Sequence, residues 1–284
     1  MDIAVFTSFK PFSGSAAALQ TASLANWRSI LPDARIVNFE TRLAKSADFP
    51  AYVETVVLDA DTPLPVFGAM VREVARRTEA ELFLYANGDI LFDGTLHRAF
   101  ASAPRGDFLL TGQRIDRDEN GARHLHRPCG MDYFLFRRGM FGDLPSVTMG
   151  RGYCDSALVA YCLRRGIPVV DASFAVRVEH PFHGYGHVPG GAAAVRAGAA
   201  ARQNLAANGL RGFAPNCLDA TFALSPDGRL GPNRRASLLR KLELELYYRR
   251  GWRKCPPFNA WWNLLTRGGR YGRQPRWPGA GGVQ

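Results

Sequence analysis

The chain has no C-x-x-C pair among its five cysteines, Cys129, Cys154, Cys162, Cys217 and Cys255. An odd count without paired spacing fits neither a disulfide framework nor a zinc knuckle, so reduced thiols in a cytoplasmic setting are expected. No H-E-x-x-H pattern is present, which disfavours a closed helical zinc site. No G-x-G-x-x-G follows a strand, which disfavours an ordinary dinucleotide-binding dehydrogenase. No apolar run approaches the roughly 20 residues that a membrane-spanning helix needs. The opening MDIAVFTSF carries an acidic second residue where a leader would carry basic ones, so an unexported, non-spanning protein is expected.

Acidic residues are scarce in one place only. From Arg234 onward there are 12 Lys and Arg against Glu243 and Glu245, a formal +10, while residues 1–233 hold 24 against 23, a formal +1. The basicity therefore belongs to an appendage on a nearly neutral body. Four of the five tryptophans, Trp252, Trp261, Trp262 and Trp277, lie in that appendage. Cationic side chains mixed with indoles suit the headgroup zone of an anionic membrane, so residues 234–277 are read as a peripheral contact with the inner face of the plasma membrane. Charge alone would also attract nucleic acid, a partner the clustered tryptophans make the lesser expectation.

What is present is a large apolar share, 46% of 284 residues, ample for one sizeable core. DIAVFTSF reads as a strand ended by Pro11 and Gly14, and SAAALQTASLANWRSIL as a helix ending before Pro32. ARIVNFE is a second strand. Residues 41–62 read as irregular, and PLPVFGAMVREVARRT as an amphipathic helix with prolines in its first turn and Arg76 and Arg77 in its last. ELFLYANGD then runs an apolar strand into a polar triplet, as a strand buried on both faces does where a sheet meets solvent. DFLLTGQRID and GMDYFLFRRGMF are further strands, YCDSALVAYCLRRG is a helix capped by Gly166, and IPVVDASFAVRVEH is a strand pair. One Ala-rich helix covers GAAAVRAGAAARQNLAANG, and Ser225 to Asn233 is rich in turn residues. The alternation predicts an α/β fold: a single domain with a central, mostly parallel sheet flanked by helices at 1–224, then a linker and basic, Trp-rich tail at 225–284. The loops TSFKPF, DADTPLP and NGD are expected to converge at the carboxyl edge of that sheet.

Asn87 and Asp89 offer two oxygen-bearing side chains flanking Gly88 at a strand end. Hard divalent cations select such oxygens, while the same triplet can also be a strand-ending turn with a solvated Asp. His180, His183 and His187 follow a predicted strand, and a neutral imidazole there can complete a metal site begun by Asp89 or make ordinary loop hydrogen bonds. Asp155 opens a helix, as a cap or as a general base toward a sugar hydroxyl. Arg114, Arg151 and Lys10 are candidate phosphate contacts, and Asp132 can accept hydrogen bonds from a sugar ring; the alternative is an internal ion pair for Arg114, Arg151 and Asp132, and a solvated surface charge for Lys10.

The order FTSFKPF, LQTASLANW, TPLP, LFLYANGDILF, FLLTGQRID, GMDYFLFRRGMF, MGRGYCDSALVAYCLRRGIPVVDAS and VRVEHPFHGYGH resembles the GT-A-fold glycosyltransferases, in a group related to family 2, from about residue 3 to residue 222. The resemblance implies a nucleotide-diphospho-sugar donor over the sheet edge, with Thr7, Ser8 and Phe9 at the base and ribose. It places Asn87 and Asp89 at the D-x-D motif, with Asn replacing the first Asp and Asp93 as a substitute ligand. His180 or His183 completes a site for Mn²⁺ or Mg²⁺ together with Asp89. Asp155 matches the acidic residue that deprotonates the acceptor in inverting members; in a retaining reaction Asp132 carries more weight. The implied activity is hexosyl transfer to a glycan or lipid-linked glycan in polysaccharide biosynthesis. A catalytically degenerate binding module, docking through its basic tail, is the alternative. The Gly-rich phosphate loop of nucleotidyltransferases is absent from the first strand.

Overall fold

The computed structural model describes residues 2–12, 14–43, 49–60, 62–181, 190–209, 214–236 and 238–242. The elements begin β1 (Ile3–Thr7), α1 (Gly14–Ile30), β2 (Arg35–Thr41), β3 (Val53–Leu58), α2 (Phe67–Arg77), β4 (Leu82–Ala86) and β5 (Leu91–Phe92). They continue with α3 (Leu96–Ala101), β6 (Leu109–Thr111), β7 (Ile115–Arg117), β8 (Arg123–Leu125), β9 (Tyr133–Arg137), α4 (Cys154–Arg165), β10 (Val169–Asp171) and β11 (Val178–Pro181). The last are α5 (Gly191–Ala197), α6 (Ala199–Ala207), β12 (Phe222–Leu224), β13 (Leu230–Pro232) and α7 (Leu238–Leu242).

Nine strands form one sheet in the order β13-β12-β10-β6-β9-β4-β1-β2-β3. The pairings leave β9 and β13 running against the other seven, so the sheet is mostly parallel, as expected. A second sheet, β5-β11-β7-β8, stands beside it. Direction matters for chemistry here. The carboxyl ends of β1, β4 and β6 lie along one edge, and antiparallel β9 brings its amino end, with Asp132 just ahead of it, to that same edge.

Alternation along each strand divides the core in two. Phe6, Phe83, Tyr85 and Phe136 face one side and pack under Phe67, Met70 and Val74 of α2 and Leu158 and Tyr161 of α4. Val5, Leu82, Leu84 and Leu135 face the other, under Leu24 and Trp27 of α1 and Leu96 and Phe100 of α3. Period-two side chains of a central strand must each find such a layer, which is why its sequence reads as unbroken apolar residues. Phe6 meets Phe39, Phe83, Tyr85 and Phe136 edge to face, pairs worth about 0.5–1.5 kcal/mol each beyond area burial.

Several local expectations change. Residues 53–58, read as irregular, are the edge strand β3; the overlooked signal was the β-branched content of VETVVL, while its burial alternates only from Thr55 onward. The α2 prolines precede the helix, because Val66 is still extended at φ −90, ψ 130. The 167–180 segment is no strand pair: β10 joins the large sheet and β11 the small one. The Ala-rich helix breaks at Gly198 into α5 and α6. Past Leu224 the chain turns back as β13 against β12 and runs on to Arg235, whose guanidinium meets the wholly buried Asp171. The Trp-rich segment from 243 onward lies outside the described residues.

Candidate active site

Asp89 is nearly buried, 4% exposed, in the turn after β4. Its Oδ2 accepts a hydrogen bond from the Lys10 ammonium, carried on the loop after β1. The same oxygen lies 3.8 Å from His180 Nε2 on β11. The other ring nitrogen of His180 lies 3.6 Å from Asp116 Oδ1 on β7. Asp116 also accepts from Arg114 Nε at 2.8 Å and stands 2.5 Å from His126 Nδ1. Arg114 then donates from Nη1 to Asp132 Oδ2 at 2.7 Å, and Asn87 Nδ2 donates to Asp132 Oδ1 at 2.7 Å. Tyr85 closes the chain by donating its hydroxyl to Asn87 Oδ1 at 3.1 Å. Side chains from both sheets are thus joined in one continuous polar network.

The electrostatics follow from that crowding. Burial opposes ionisation of Asp116, yet hydrogen bonds with His126 and His180, together with Arg114, hold its carboxyl well below the usual range. The bond to Asp116 raises His126 to about 9, so this imidazole is protonated at neutral pH. His180 is also raised: burial works against its charge, but Asp116 and Asp89 outweigh that. Asp155, in the first turn of α4, moves the opposite way from Asp116. It is only partly exposed, and burial, reinforced by the charge of Asp132, pushes its carboxyl up to about 6. Cys154 donates to Asp155 Oδ1 at 3.3 Å.

The placement of Asp155 is built from its flanks. Asn204, buried on α6, donates to the carbonyls of Thr148 at 2.9 Å and Gly152 at 3.1 Å and accepts from the Thr148 amide at 2.8 Å. Gly152 donates its amide to Val195 O at 2.8 Å, and a Cβ there would sit 3.1 Å from Arg196 O, so α5 packs tightly on the loop and a larger residue would push it by a few tenths of an ångström. Tyr153 then enters α4 with a left-handed φ of 66, a costly conformation for a residue with a side chain.

The residues singled out from sequence divide accordingly. Lys10, Asn87, Asp89, Arg114, Asp132 and His180 meet. Thr7 ends β1 with no exposed surface, which leaves its side chain enclosed, while Ser8 is partly exposed beside it. The Phe9 ring stacks between Trp27 and Phe49, at 6.1 and 5.3 Å between centroids. It also covers Gly88, where an added Cβ would fall 2.4 Å from the ring: the glycine admits Phe9 rather than a ligand. Arg151 donates to Gly150 O at 2.9 Å and forms no ion pair among the described residues. Asp93 bonds Thr95 within its own turn. DADTPLP follows edge strand β3, and Asp59 there pairs with Arg42, outside the network. His183 and His187 lie outside the described residues. Asp116, His126 and Tyr85 were missed; the i, i+2 spacing of Arg114 and Asp116 at a strand start was the signal for the first.

The donor set bears on a divalent cation. Carboxylate oxygen and imidazole nitrogen ligate at about 2.0–2.2 Å, so two atoms sharing an ion stand about 3–4 Å apart, and the 3.8 Å between Asp89 and His180 suits that. Among the described residues no group of three or more His, Cys, Asp or Glu could hold a metal. A divalent ion at Asp89 and His180 would have to take its remaining ligands from water and phosphate.

No protein-family model and no curated protein matches the chain. Among solved structures it is similar to GalNAc-T7 with UDP, GalNAc and Mn²⁺, at 12% identity and TM-score 0.45 over 64% of this chain and 43% of that one. It is also similar to S. aureus TarS with UDP-GlcNAc, at 13% identity and TM-score 0.35 over 50% of this chain and 47% of that one. A third is the mannosyltransferase PcManGT of Pyrobaculum calidifontis with GDP-Man and Mn²⁺, at 13% identity and TM-score 0.48 over 96% and 76%. The chain spans less than half the length of the first two. The architecture itself is mixed α/β, a large, mostly parallel sheet flanked by helices with polar residues gathered on its carboxyl edge, consistent with the GT-A-like fold that the motif order resembles.

Proposed function

We propose that the chain is a glycosyltransferase that moves a hexosyl group from a nucleotide-diphosphate donor to a hydroxyl of a glycan or lipid-linked glycan. The observation that carries this reading is the meeting of Asp89 and His180 in a polar network whose Asp132, together with burial, raises the carboxyl of Asp155 to about 6. A Mn²⁺ or Mg²⁺ ion held by Asp89 and His180 would supply positive charge to a departing diphosphate. Asp155 acts as general base: with a pKa of about 6 it is roughly nine-tenths ionised at pH 7 and still close enough to that pH to accept a hydroxyl proton efficiently. Asp132 has both oxygens engaged, by Asn87 and Arg114, and so orients those two residues. Arg114 stays charged at every working pH, and Arg151, which forms no ion pair among the described residues, is suited to a phosphate oxygen. The basic tail is assigned to a membrane surface near a lipid-linked acceptor; among the described residues no helix is long and apolar enough to cross a membrane.

The test is donor hydrolysis and transfer with and without Mn²⁺, in wild type and Asp89→Ala. Loss of most activity in both comparisons is expected, and an unchanged rate in both removes the metal role. One observation favours the binding-module alternative: Asn87 has its amide nitrogen and oxygen spent on Asp132 and Tyr85, and Lys10 sits on Asp89. Saturable binding of UDP- or GDP-sugars by titration calorimetry, with neither hydrolysis nor transfer, would decide for it.

A further inference from the structure

The expected role of Lys10 was a phosphate contact, yet its ammonium is bound to Asp89, on the oxygen that faces His180. We propose that Lys10 is an exchangeable counter-ion: it holds Asp89 in the ligand-free protein, yields that oxygen to a divalent cation, and then contacts the diphosphate of the bound donor. The inference rests on the donor reading above and concerns how metal and donor binding are coupled.

Three features support it. A carboxylate as enclosed as Asp89, with 6% of its side chain exposed, is costly to leave without a cation, so some positive group must stay there when no metal is present. An ammonium and a divalent ion on one carboxylate oxygen repel each other strongly in so enclosed a place, so the two occupants compete. The exchange needs only a side-chain movement. Gln20, 1% exposed on α1, accepts from the Lys10 amide at 2.6 Å and donates to the Lys10 carbonyl at 3.1 Å, pinning its backbone from both sides. The four-carbon stem extends from that fixed point, and the side chain is 30% exposed. Of the other basic groups in the network, Arg114 and His126 are committed to Asp116 and Asp132 and His180 would itself be a ligand of the ion, so Lys10 is the one that a metal at Asp89 would displace.

Lys10 is one of four lysines in the chain, so its amine reactivity is readily followed by peptide mass spectrometry in the intact wild-type protein. Acetic anhydride labelling of Lys10 is expected to rise several-fold when Mn²⁺ alone is added, and to fall below the metal-free level when UDP or GDP is added with Mn²⁺. Removing the competitor in Lys10→Met should tighten Mn²⁺ binding to the nucleotide-free protein by about tenfold, read by Mn²⁺ electron paramagnetic resonance. Binding of UDP with Mn²⁺ should weaken by a similar factor, while Lys10→Arg keeps the wild-type order. Labelling indifferent to Mn²⁺, in a protein that still binds UDP or GDP, overturns this inference and leaves the donor reading standing. No binding of either nucleotide, with or without Mn²⁺, overturns the donor reading and this inference with it.

Discussion

Asp155 and Asp116 are the same residue type within one small region, and their surroundings drive them in opposite directions. Asp116 is ringed by Arg114, His126 and His180 and stays ionised, whereas Asp155 has burial and a neighbouring carboxylate against it. A folded-state value of about 6 against the ordinary Asp value of 3.8 fixes the sign of the stability effect. The folded protein binds the Asp155 proton more tightly than the unfolded chain does, so stability from this group is complete below about pH 4 and is lost as pH rises through about 6. Asp155→Asn is therefore expected to raise the unfolding free energy at pH 8 by about 1–3 kcal/mol given its partial exposure, with a matching rise in the denaturation midpoint, and to do nothing near pH 4. The same substitution should lower kcat about 10²- to 10⁴-fold. In wild type, kcat/KM should fall tenfold per pH unit below about 6. Equal midpoints at pH 8 would show that the carboxyl is not under strain.

At the scale of elements, the turn after β4 depends on a contact from a different strand. Gly88 is required because the Phe9 ring, on the loop after β1, occupies the space a Cβ would take. Phe9 cannot easily retreat, being stacked on Trp27 and Phe49 and edged by Phe12. Gly88→Ala should cost about 1–3 kcal/mol of stability by overpacking and displace Asp89 from His180. In the Phe9→Ala background the added cost of Gly88→Ala should nearly vanish, which chemical denaturation of the four proteins of that cycle would check. Asn-Gly-Asp was readable as a polar strand end. That its glycine serves an aromatic ring was not, since Phe9 and Gly88 are 79 residues apart and meet only because β1 pairs with β4.

Over the whole molecule, the large sheet is completed by residues beyond the expected boundary at 224. Arg235 reaches back to Asp171 and Gln113, and its guanidinium lies 4.9 Å from the centre of the Phe174 ring. Asp171 is wholly buried, so Arg235→Ala would strand a carboxylate in the interior, with an expected loss of about 3–5 kcal/mol. A chain ending at Leu242 keeps that pair and should retain the wild-type midpoint, whereas one ending at Asn233 should lose about as much as Arg235→Ala. Equal midpoints for the two truncations would refute this. The same comparison would identify where the tail can be removed for a vesicle-binding assay.

Pattern and composition sufficed for the sheet class, the helices α1, α2 and α4, the basic tail, and the residue types at the strand ends, because periodicity and end signals are local properties of the chain. Lys10, Asn87, Asp89, Arg114, Asp132 and His180 could all be singled out on such grounds. Their partners could not. Arg114 might have gripped a ligand and instead grips Asp116 and Asp132; Lys10 might have faced solvent and instead holds Asp89. An ion pair depends on distance in space and on the water left around it, and neither exists until β1, β4, β7, β9 and β11 bring their ends to one edge. The same is true of Asp155, whose upward shift comes from enclosure, which only the packed chain supplies.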